Sequence, residues 1–125
     1  MNSLILHNHA LHHYARASIR TFAVTNLSDH PTLTKFTEDN KKSVLYYTAT
    51  WCPPCKAIKP VYEKLSEDFE GIGFGKIDVD ENAESAEAAG IRSVPTFVFS
   101  GGANISGADE ASLRRELEKL NKSNP

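Results

Sequence analysis

Two cysteines separated by two residues are the side chains best suited to chemistry in this sequence of 125 residues. They lie in the segment Trp51-Cys52-Pro53-Pro54-Cys55-Lys56, and the chain has no other cysteine. A structural disulfide framework distributes several cysteines along a chain, and closing so short a loop gains little entropy. The pair therefore favours redox chemistry over a structural role.

Thiol–disulfide exchange needs one thiolate that attacks a target disulfide and a second thiol that resolves the mixed disulfide. We predict that Cys52 lies exposed at the end of a strand-to-helix loop, where the helix dipole favours a negatively charged sulfur. Cys55 would lie one turn inside the helix, too buried to react first. In C-x-x-C sites of this kind the thiol pKa falls from about 8.5 to roughly 7.

Half of a zinc site is the structural alternative for the two cysteines. Zinc usually takes four ligands, and the sequence has no second C-x-x-C. The histidines that could complete a ligand set lie far towards the N-terminus, at His7, His9, His12 and His13. We therefore predict no metal site.

The rest of the chain alternates between strand-like and helix-like segments. Strands are predicted at residues 21–24, 43–49, 74–79, 96–99 and, as a short return strand, 103–105. Helices are predicted after an N-cap at Ser28 or Asp29, after the cysteines as far as Phe69, and over residues 83–89 before a C-cap at Gly90. The last helix is predicted from about Asp109, with Leu113, Leu117 and Leu120 buried. This alternation predicts an α/β fold with helices on both faces of the sheet.

Composition places limits on the possible partners. Hydrophobic residues make up 40% and charged residues 24% of the chain, which is typical of a single globular domain. The net charge of -2 gives no reason to expect nucleic acid or anionic lipid as a partner. No apolar run approaches the roughly 18 to 20 residues that span a bilayer, so we predict no membrane partner.

An N-terminal extension is predicted at residues 1–22, ahead of a domain over residues 23–125. Residues 1–28 contain Arg16 and Arg20 and no acidic side chain, which is typical of an organelle transit peptide. A secretory signal fits less well, because the apolar run near the start is too short. An extension without function is the remaining alternative.

Other sequence motifs accompany the dithiol motif along the chain. Pro60, which should kink its helix, follows the second cysteine by five residues. Further landmarks are Lys76-Ile77-Asp78-Val79-Asp80, Val94-Pro95-Thr96 and Gly107. In this order, over about residues 25–120, they resemble the thioredoxin family. The resemblance implies a thioredoxin fold, with a central mixed β-sheet flanked by helices on both faces.

The resemblance also implies an activity. Cys52 would be the nucleophile and Cys55 the resolving cysteine of a protein-disulfide reductase. No bound cofactor is implied, because the Cys52–Cys55 disulfide is itself the redox group. The implied partners are disulfide-bearing target proteins and an electron donor, either thioredoxin reductase or a glutathione- or ferredoxin-linked system, and we expect a monomer.

A groove for the target is implied beside the sulfurs. A cis Pro95 would turn its loop sharply and leave the Val94 backbone to pair with an extended target segment. The groove would comprise Trp51, Pro53, Pro54, Val94, Pro95 and Gly107, with Lys56, Pro60, Lys76 and Tyr46 as supporting residues. The alternative interpretations are a first-strand proline, a core tryptophan and an ordinary turn glycine.

Two positions and one spacing depart from the family pattern. Pro53 replaces the usual glycine, and two successive prolines remove two amide donors near the first cysteine, which should raise its pKa and change the redox potential. Tyr46 replaces a buried aspartate, so water or another carboxylate serves the resolving cysteine, or that step is slower. For Tyr46 itself we favour a core residue with a hydrogen-bonded hydroxyl. Only eleven residues separate Pro95 from Gly107, which predicts a shortened last hairpin.

The subtype bears on the cellular location. The segment Tyr46-Tyr47-Thr48-Ala49-Thr50-Trp51 is similar to o-type thioredoxins of plants and algae, which are mitochondrial, whereas W-C-P-P-C is similar to some h-type members. Together with the transit-like N-terminus, this similarity predicts a mitochondrial location. The cytoplasm or another organelle is the alternative.

Two other functions stay open. A disulfide oxidase or isomerase runs the same exchange in the opposite direction, but such sites typically carry a histidine where this chain has Pro53-Pro54. A non-catalytic binding module would hold a partner in the groove and use the dithiol as a redox switch. A glutaredoxin fits less well, because Trp51 and Lys56 flank the cysteines as in thioredoxins.

Overall fold

The computed structural model describes residues 23–124. In order along the chain, its elements are β1 (Val24–Asn26), α1 (His30–Asp39), β2 (Ser43–Thr48), α2 (Pro53–Asp68), β3 (Gly73–Asp78), α3 (Ala83–Ala88), β4 (Thr96–Phe99), β5 (Asn104–Ser106) and α4 (Glu110–Lys122). The predicted extension at residues 1–22, with its targeting role, lies outside the described residues. No helix in the described part of the chain is long and apolar enough to cross a membrane.

The five strands form one mixed sheet in the order β1-β3-β2-β4-β5. The strands β1, β3 and β2 run parallel, whereas β4 is antiparallel to β2 and β5 is antiparallel to β4. The predicted α/β architecture with a central mixed sheet is therefore confirmed.

The first strand is the element whose position differs most from the prediction. A strand was expected at residues 21–24, but β1 begins at Val24, which pairs with Phe74 of β3. Just after the strand, the Leu27 amide donates to the Lys76 carbonyl at 2.8 Å, and the Leu27 side chain is fully buried. The register of β1 is set by its pairing with β3, which lies far along the chain. The local sequence therefore could not predict where β1 begins.

Strand β2 is apolar on both faces because helices cover both sides of the sheet. Val44 and Tyr46 contribute to one core cluster, and Leu45 and Tyr47 contribute to the other, as the alternation of side chains along a strand requires. The first cluster includes the α2 and α4 residues Ile58, Tyr62, Leu65, Leu113 and Leu117. The second cluster includes Leu33 and Phe36 of α1 and Ala86 of α3. Leu120, which was expected to be buried, is only partly buried at the edge of the first cluster.

Capping side chains mark the starts of the helices. Asp29 accepts a hydrogen bond from a first-turn amide of α1, and Asp109 does the same for α4. Helix α2 begins with Pro53 and Pro54 in its first turn, where no N–H is needed. It then continues through Pro60 to Asp68.

Glycines close α3 and the last hairpin. The C-cap of α3 is Ala89 rather than Gly90; Gly90 is the following residue, and its φ of +68° suits a residue without a Cβ. Gly101 and Gly102, with φ of +96° and +106°, form the turn between β4 and β5. These strands have four and three residues, so the last hairpin is short, as predicted.

Candidate active site

The two cysteines form a disulfide at the N-terminus of α2. Cys52 is the N-cap residue with extended backbone angles, and Cys55 lies in the first turn, with 5.2 Å between the two Cα atoms. Because β2 ends at Thr48, the loop that leads to the disulfide leaves the carboxyl end of a central strand. The predicted strand-to-helix junction is therefore confirmed.

Both cysteines are buried in this disulfide form. The exposed fraction is 3% for Cys52 and 2% for Cys55, and both pack with Ala49, Val79 and Val94. Burial of Cys55 agrees with the prediction, but the prediction of an exposed Cys52 is wrong for this form. The other members of this hydrophobic cluster, Ala49, Val79 and Val94, come from three separate loops, so no local pattern could have indicated the burial.

One backbone donor remains for the Cys52 sulfur. The Cys55 N–H donates to Cys52 Sγ at 3.2 Å. Pro53 and Pro54 have no N–H, so the Cys55 amide is the first amide of the helix that can point at this sulfur. A cap side chain takes its bonds from the second and third helical amides, so Pro54 removes one donor and Pro53 none, fewer than the two that were predicted.

The predicted cis-proline loop lies beside the disulfide. The Val94–Pro95 peptide bond is cis, and the Val94 carbonyl oxygen lies 3.6 Å from Cys52 Sγ. The Gly107 N–H donates to the Pro95 carbonyl at 2.8 Å, and Gly107 has a φ of +98°. Pro95 itself is fully buried and Val94 half-buried, so Val94 is the more exposed residue of this pair.

Trp51 is an exposed side chain, with 65% of its surface accessible. Its indole N–H donates to Asp80 Oδ2 at 2.8 Å. The adjacent Pro53 and Pro54 are also exposed, so three exposed apolar side chains flank Cys52 in the chain. The alternative of a core tryptophan is wrong.

Sequence reasoning had not assigned Asp80 a role. Asp80 follows β3, and Trp51 follows β2, its parallel neighbour. The carboxyl ends of adjacent parallel strands lie at the same edge of a sheet. This rule could have predicted the contact between Trp51 and Asp80.

Tyr46 lies directly beneath the disulfide. Its hydroxyl donates to the Cys55 carbonyl at 2.9 Å, and its ring stacks on Phe97 with the ring centres 5.0 Å apart. Burial raises the pKa of Tyr46; the facing Thr48 hydroxyl lowers this pKa by less. The favoured interpretation of Tyr46 as a core residue with a bonded hydroxyl is confirmed.

A pocket of about 210 Å³ opens behind Cys55. Two register pairs of the parallel strands lie along it, Tyr46 beside Lys76 and Thr48 beside Asp78. Lys76, a predicted supporting residue, is half-buried here, whereas Lys56 is exposed at the rim.

Pro60 takes no part in this site. The exposed Pro60 lies five residues after Cys55, which places it about 7.5 Å further along the axis of α2. Residues 23–124 contain no group of three or more His, Cys, Asp or Glu side chains that could hold a metal ion. The N-terminal histidines lie outside the described residues.

Comparisons with known proteins agree with this geometry. The family model described as Thioredoxin matches residues 23–123. The chain is 45% identical over 85 residues to a thioredoxin of Geodia cydonium, covering 64% of this chain and 80% of that protein. It is 45% identical over 92 residues to a "Thioredoxin H-type" of Chlamydomonas reinhardtii, covering 70% and 81%.

A solved structure is similar over most of its length. The crystal structure of Malassezia sympodialis thioredoxin matches with a TM-score of 0.76 at 36% identity. The match covers 82% of this chain and 95% of that one.

Proposed function

The chain belongs to the thioredoxin family, and we propose that it reduces protein disulfides with Cys52 as the attacking thiolate and Cys55 as the resolving thiol. Family membership and the Cys52–Cys55 disulfide make it a protein-disulfide oxidoreductase that acts by dithiol–disulfide exchange. The assignment of roles rests on one observation: Cys52 is the N-cap of α2, and its sulfur accepts the Cys55 N–H.

Electrostatics favour Cys52 as the thiolate. The N-terminus of a 16-residue helix carries a partial positive charge, which stabilises a negative sulfur at the N-cap. A hydrogen bond from a backbone amide to a charged acceptor is stronger than one to a neutral acceptor. The Cys55 amide therefore stabilises the Cys52 thiolate more than the Cys52 thiol.

The exchange proceeds in two steps. The Cys52 thiolate attacks one sulfur of the target disulfide; the target S–S bond breaks, and the other target sulfur leaves as a thiolate that takes up a proton. The Cys55 thiolate then attacks Cys52 Sγ in the mixed disulfide, which releases the second target sulfur and closes the Cys52–Cys55 bond. Two electrons pass from the cysteine pair to the target.

The target binds along the loop that carries Val94. The Val94 carbonyl lies next to Cys52, where backbone pairing with an extended segment would accept many different sequences. Exposed Trp51 and the two prolines supply an apolar surface for the side chains of the target.

Reduction is favoured over oxidation or isomerisation because no titratable side chain separates the cysteines. An imidazole between them would stabilise the thiolate further and make the site more oxidising. The electron donor is thioredoxin reductase or another dithiol-reducing system, and the protein acts as a monomer.

A mitochondrial location is part of the proposal. Its support is the acid-free N-terminal segment with Arg16 and Arg20 and the o-type-like sequence around Tyr46. The similarity to the H-type protein of Chlamydomonas reinhardtii supports an h-type assignment as the alternative.

Reduction of insulin tests the proposal. We expect the protein to accelerate insulin precipitation by dithiothreitol and Cys52→Ser to abolish the acceleration. Cys55→Ser should trap a mixed disulfide through Cys52. A mixed disulfide trapped through Cys55 in Cys52→Ser, together with none trapped through Cys52 in Cys55→Ser, would reverse the assigned roles.

A further inference from the structure

Neither step of the disulfide exchange uses the pocket behind Cys55. Its lining includes Tyr46 and Cys55 and, from β3, Lys76 and Asp78. A volume of about 210 Å³ has room for several water molecules, since each takes about 30 Å³ in the liquid. The pocket therefore connects the resolving cysteine with charged side chains on the neighbouring strand.

The resolving step needs a proton acceptor near Cys55. A thiol is a poor nucleophile until it loses its proton, and this thiol is buried in a hydrophobic cluster. Tyr46 cannot accept the proton, because its hydroxyl hydrogen is donated to the Cys55 carbonyl and burial keeps the phenol in its neutral form.

Asp78 carries the only carboxylate among the described residues that line this pocket. It lies beside Thr48 in the register of β2 and β3, two residues beyond Lys76 and so on the same face of the sheet. Its Oδ1 accepts the backbone N–H groups of Asp80 at 2.8 Å and Glu81 at 3.2 Å. Within residues 23–124, no hydrogen bond occupies Oδ2. The turn amides therefore hold Oδ1 of Asp78 in place, and Oδ2 can accept a proton.

The charges around the pocket are mostly positive. Lys56 and Lys59 approach from α2 and Lys76 from β3, and Glu63 of α2 acts on the Tyr46 hydroxyl from the same side. Lysine ammonium groups donate hydrogen bonds and accept none. They therefore favour a thiolate at Cys55 but cannot remove its proton.

We propose that Asp78, acting through water in the pocket, accepts the proton of the Cys55 thiol when this thiol resolves the mixed disulfide. The inference rests on the assignment of Cys55 as the resolving cysteine. The S–H bond of Cys55 breaks, its proton passes to Asp78, and the thiolate attacks Cys52 Sγ. The target sulfur leaves with the electron pair of the broken S–S bond, and Asp78 returns the proton to solvent.

Stopped-flow mixing of the reduced protein with an aromatic disulfide that releases the coloured nitrothiobenzoate anion separates the two steps. The first phase depends on reagent concentration and reports the attack by Cys52. The second phase is independent of concentration and reports resolution by Cys55. We expect Asp78→Asn to slow the second phase by about 10- to 100-fold at pH 7, near the lower range for general base catalysis, and to leave the first phase unchanged.

The control is Glu81→Gln, an exposed neighbour whose backbone, not its side chain, contacts Asp78. It should change neither phase. Asparagine keeps the oxygen that accepts the two turn amides, so Asp78→Asn should retain the fold, which circular dichroism checks. An unchanged second phase in folded Asp78→Asn would overturn the role of Asp78 and leave the reductase assignment intact. Loss of the first phase in the wild-type protein would instead overturn the reductase assignment.

A pH profile gives a second readout that a structural role would not produce. In the wild type, the second-phase rate should fall at acid pH as the carboxylate becomes protonated. This acid limb should be absent in Asp78→Asn. In Asp78→Glu, which keeps a carboxylate at this position, the limb should be retained. Its loss in folded Asp78→Glu would count against the assignment even if Asp78→Asn did not fold.

Discussion

Cys52 Sγ accepts the N–H of Cys55 at 3.2 Å, so a sulfur serves as the N-cap acceptor of helix α2. An N-cap side chain takes its hydrogen bonds from the second and third residues of the helix. Here the second residue is Pro54, which has no N–H, and the third is Cys55. The sulfur therefore has one of the two amide donors that this position normally offers.

Restoring the missing donor should lower the Cys52 pKa. We expect Pro54→Ala to lower it by about one unit, because a hydrogen bond to a charged group contributes about 1.5 kcal/mol or more and one unit corresponds to about 1.4 kcal/mol. Pro53→Ala is the matched control, since the first helical N–H does not reach the cap side chain. Thiolate absorbance against pH measures both variants; equal shifts would show that chain stiffness, not donor number, sets this pKa.

Removal of the Tyr46 hydroxyl should cost stability but not chemistry. Tyr46→Phe removes the hydroxyl that donates to the Cys55 carbonyl and should lower the free energy of unfolding by about 1 to 2 kcal/mol. The second-phase rate of disulfide exchange should stay within about twofold, because we assign proton transfer to Asp78.

Tyr47→Phe is the control for Tyr46→Phe. Tyr47 is equally buried on the opposite face of β2, and its hydroxyl makes no hydrogen bond within residues 23–124. Urea denaturation should therefore find Tyr47→Phe nearly neutral. A loss as large as that of Tyr46→Phe would mean that removal of the hydroxyl disturbs packing rather than a bond.

The Trp51 indole should lose its fixed position when Asp80 is replaced. Trp51 is the only tryptophan of the chain, so its fluorescence reports this contact directly. Asp80→Ala should lower the fluorescence anisotropy and raise the KM for insulin about two- to fivefold, which corresponds to an exposed hydrogen bond of about 0.5 to 1 kcal/mol. Glu84→Ala, a change at an exposed acid of α3, should leave both quantities unchanged.

Acid should weaken the capping of α1 and α4. The Thr32 hydroxyl and amide lower the pKa of Asp29 below 3.8, and the Ser112 hydroxyl and amide lower that of Asp109. A carboxyl group whose pKa is lower in the folded state stabilises the fold fully above its unfolded pKa, and this contribution is lost as pH falls through the folded value. The pH window for the loss is therefore below about 4.

Urea midpoints measured between about pH 5 and about pH 2.5 test this dependence. Asp109→Asn retains a cap acceptor but does not titrate, so its midpoint should fall less steeply with acid than that of the wild type. Asp29→Asn should behave in the same way. A slope identical to that of the wild type in both variants would assign the acid sensitivity to other carboxylates.

Features with a local cause were predictable from the sequence. The start of α2 follows from two prolines that tolerate only a first helical turn, and the capping role of Asp29 follows from its side-chain chemistry. β4 lies at Thr96–Phe99, as predicted, because apolar β-formers stand between Pro95 and a glycine turn.

Features that depend on contacts between distant segments were not predictable. The register of β1 is set by pairing with β3, and the bond from Trp51 to Asp80 joins residues 29 positions apart. The burial of Cys52 comes from Val79 and Val94, which approach it from other parts of the chain. A pattern within one segment carries no information about these neighbours.

The turn after β3 links two aspartates, Asp78 and Asp80, that have different proposed roles. Asp80 anchors the exposed indole of Trp51 through its carboxylate, while its own N–H is held by Asp78 at the pocket behind Cys55. Free-energy changes from substitutions at Asp78 and Asp80 should therefore not be additive, because the two residues share a hydrogen bond. We therefore expect target recognition at Trp51 and proton transfer at Asp78 to be thermodynamically coupled through this turn, and a double-mutant cycle would give the size of that coupling.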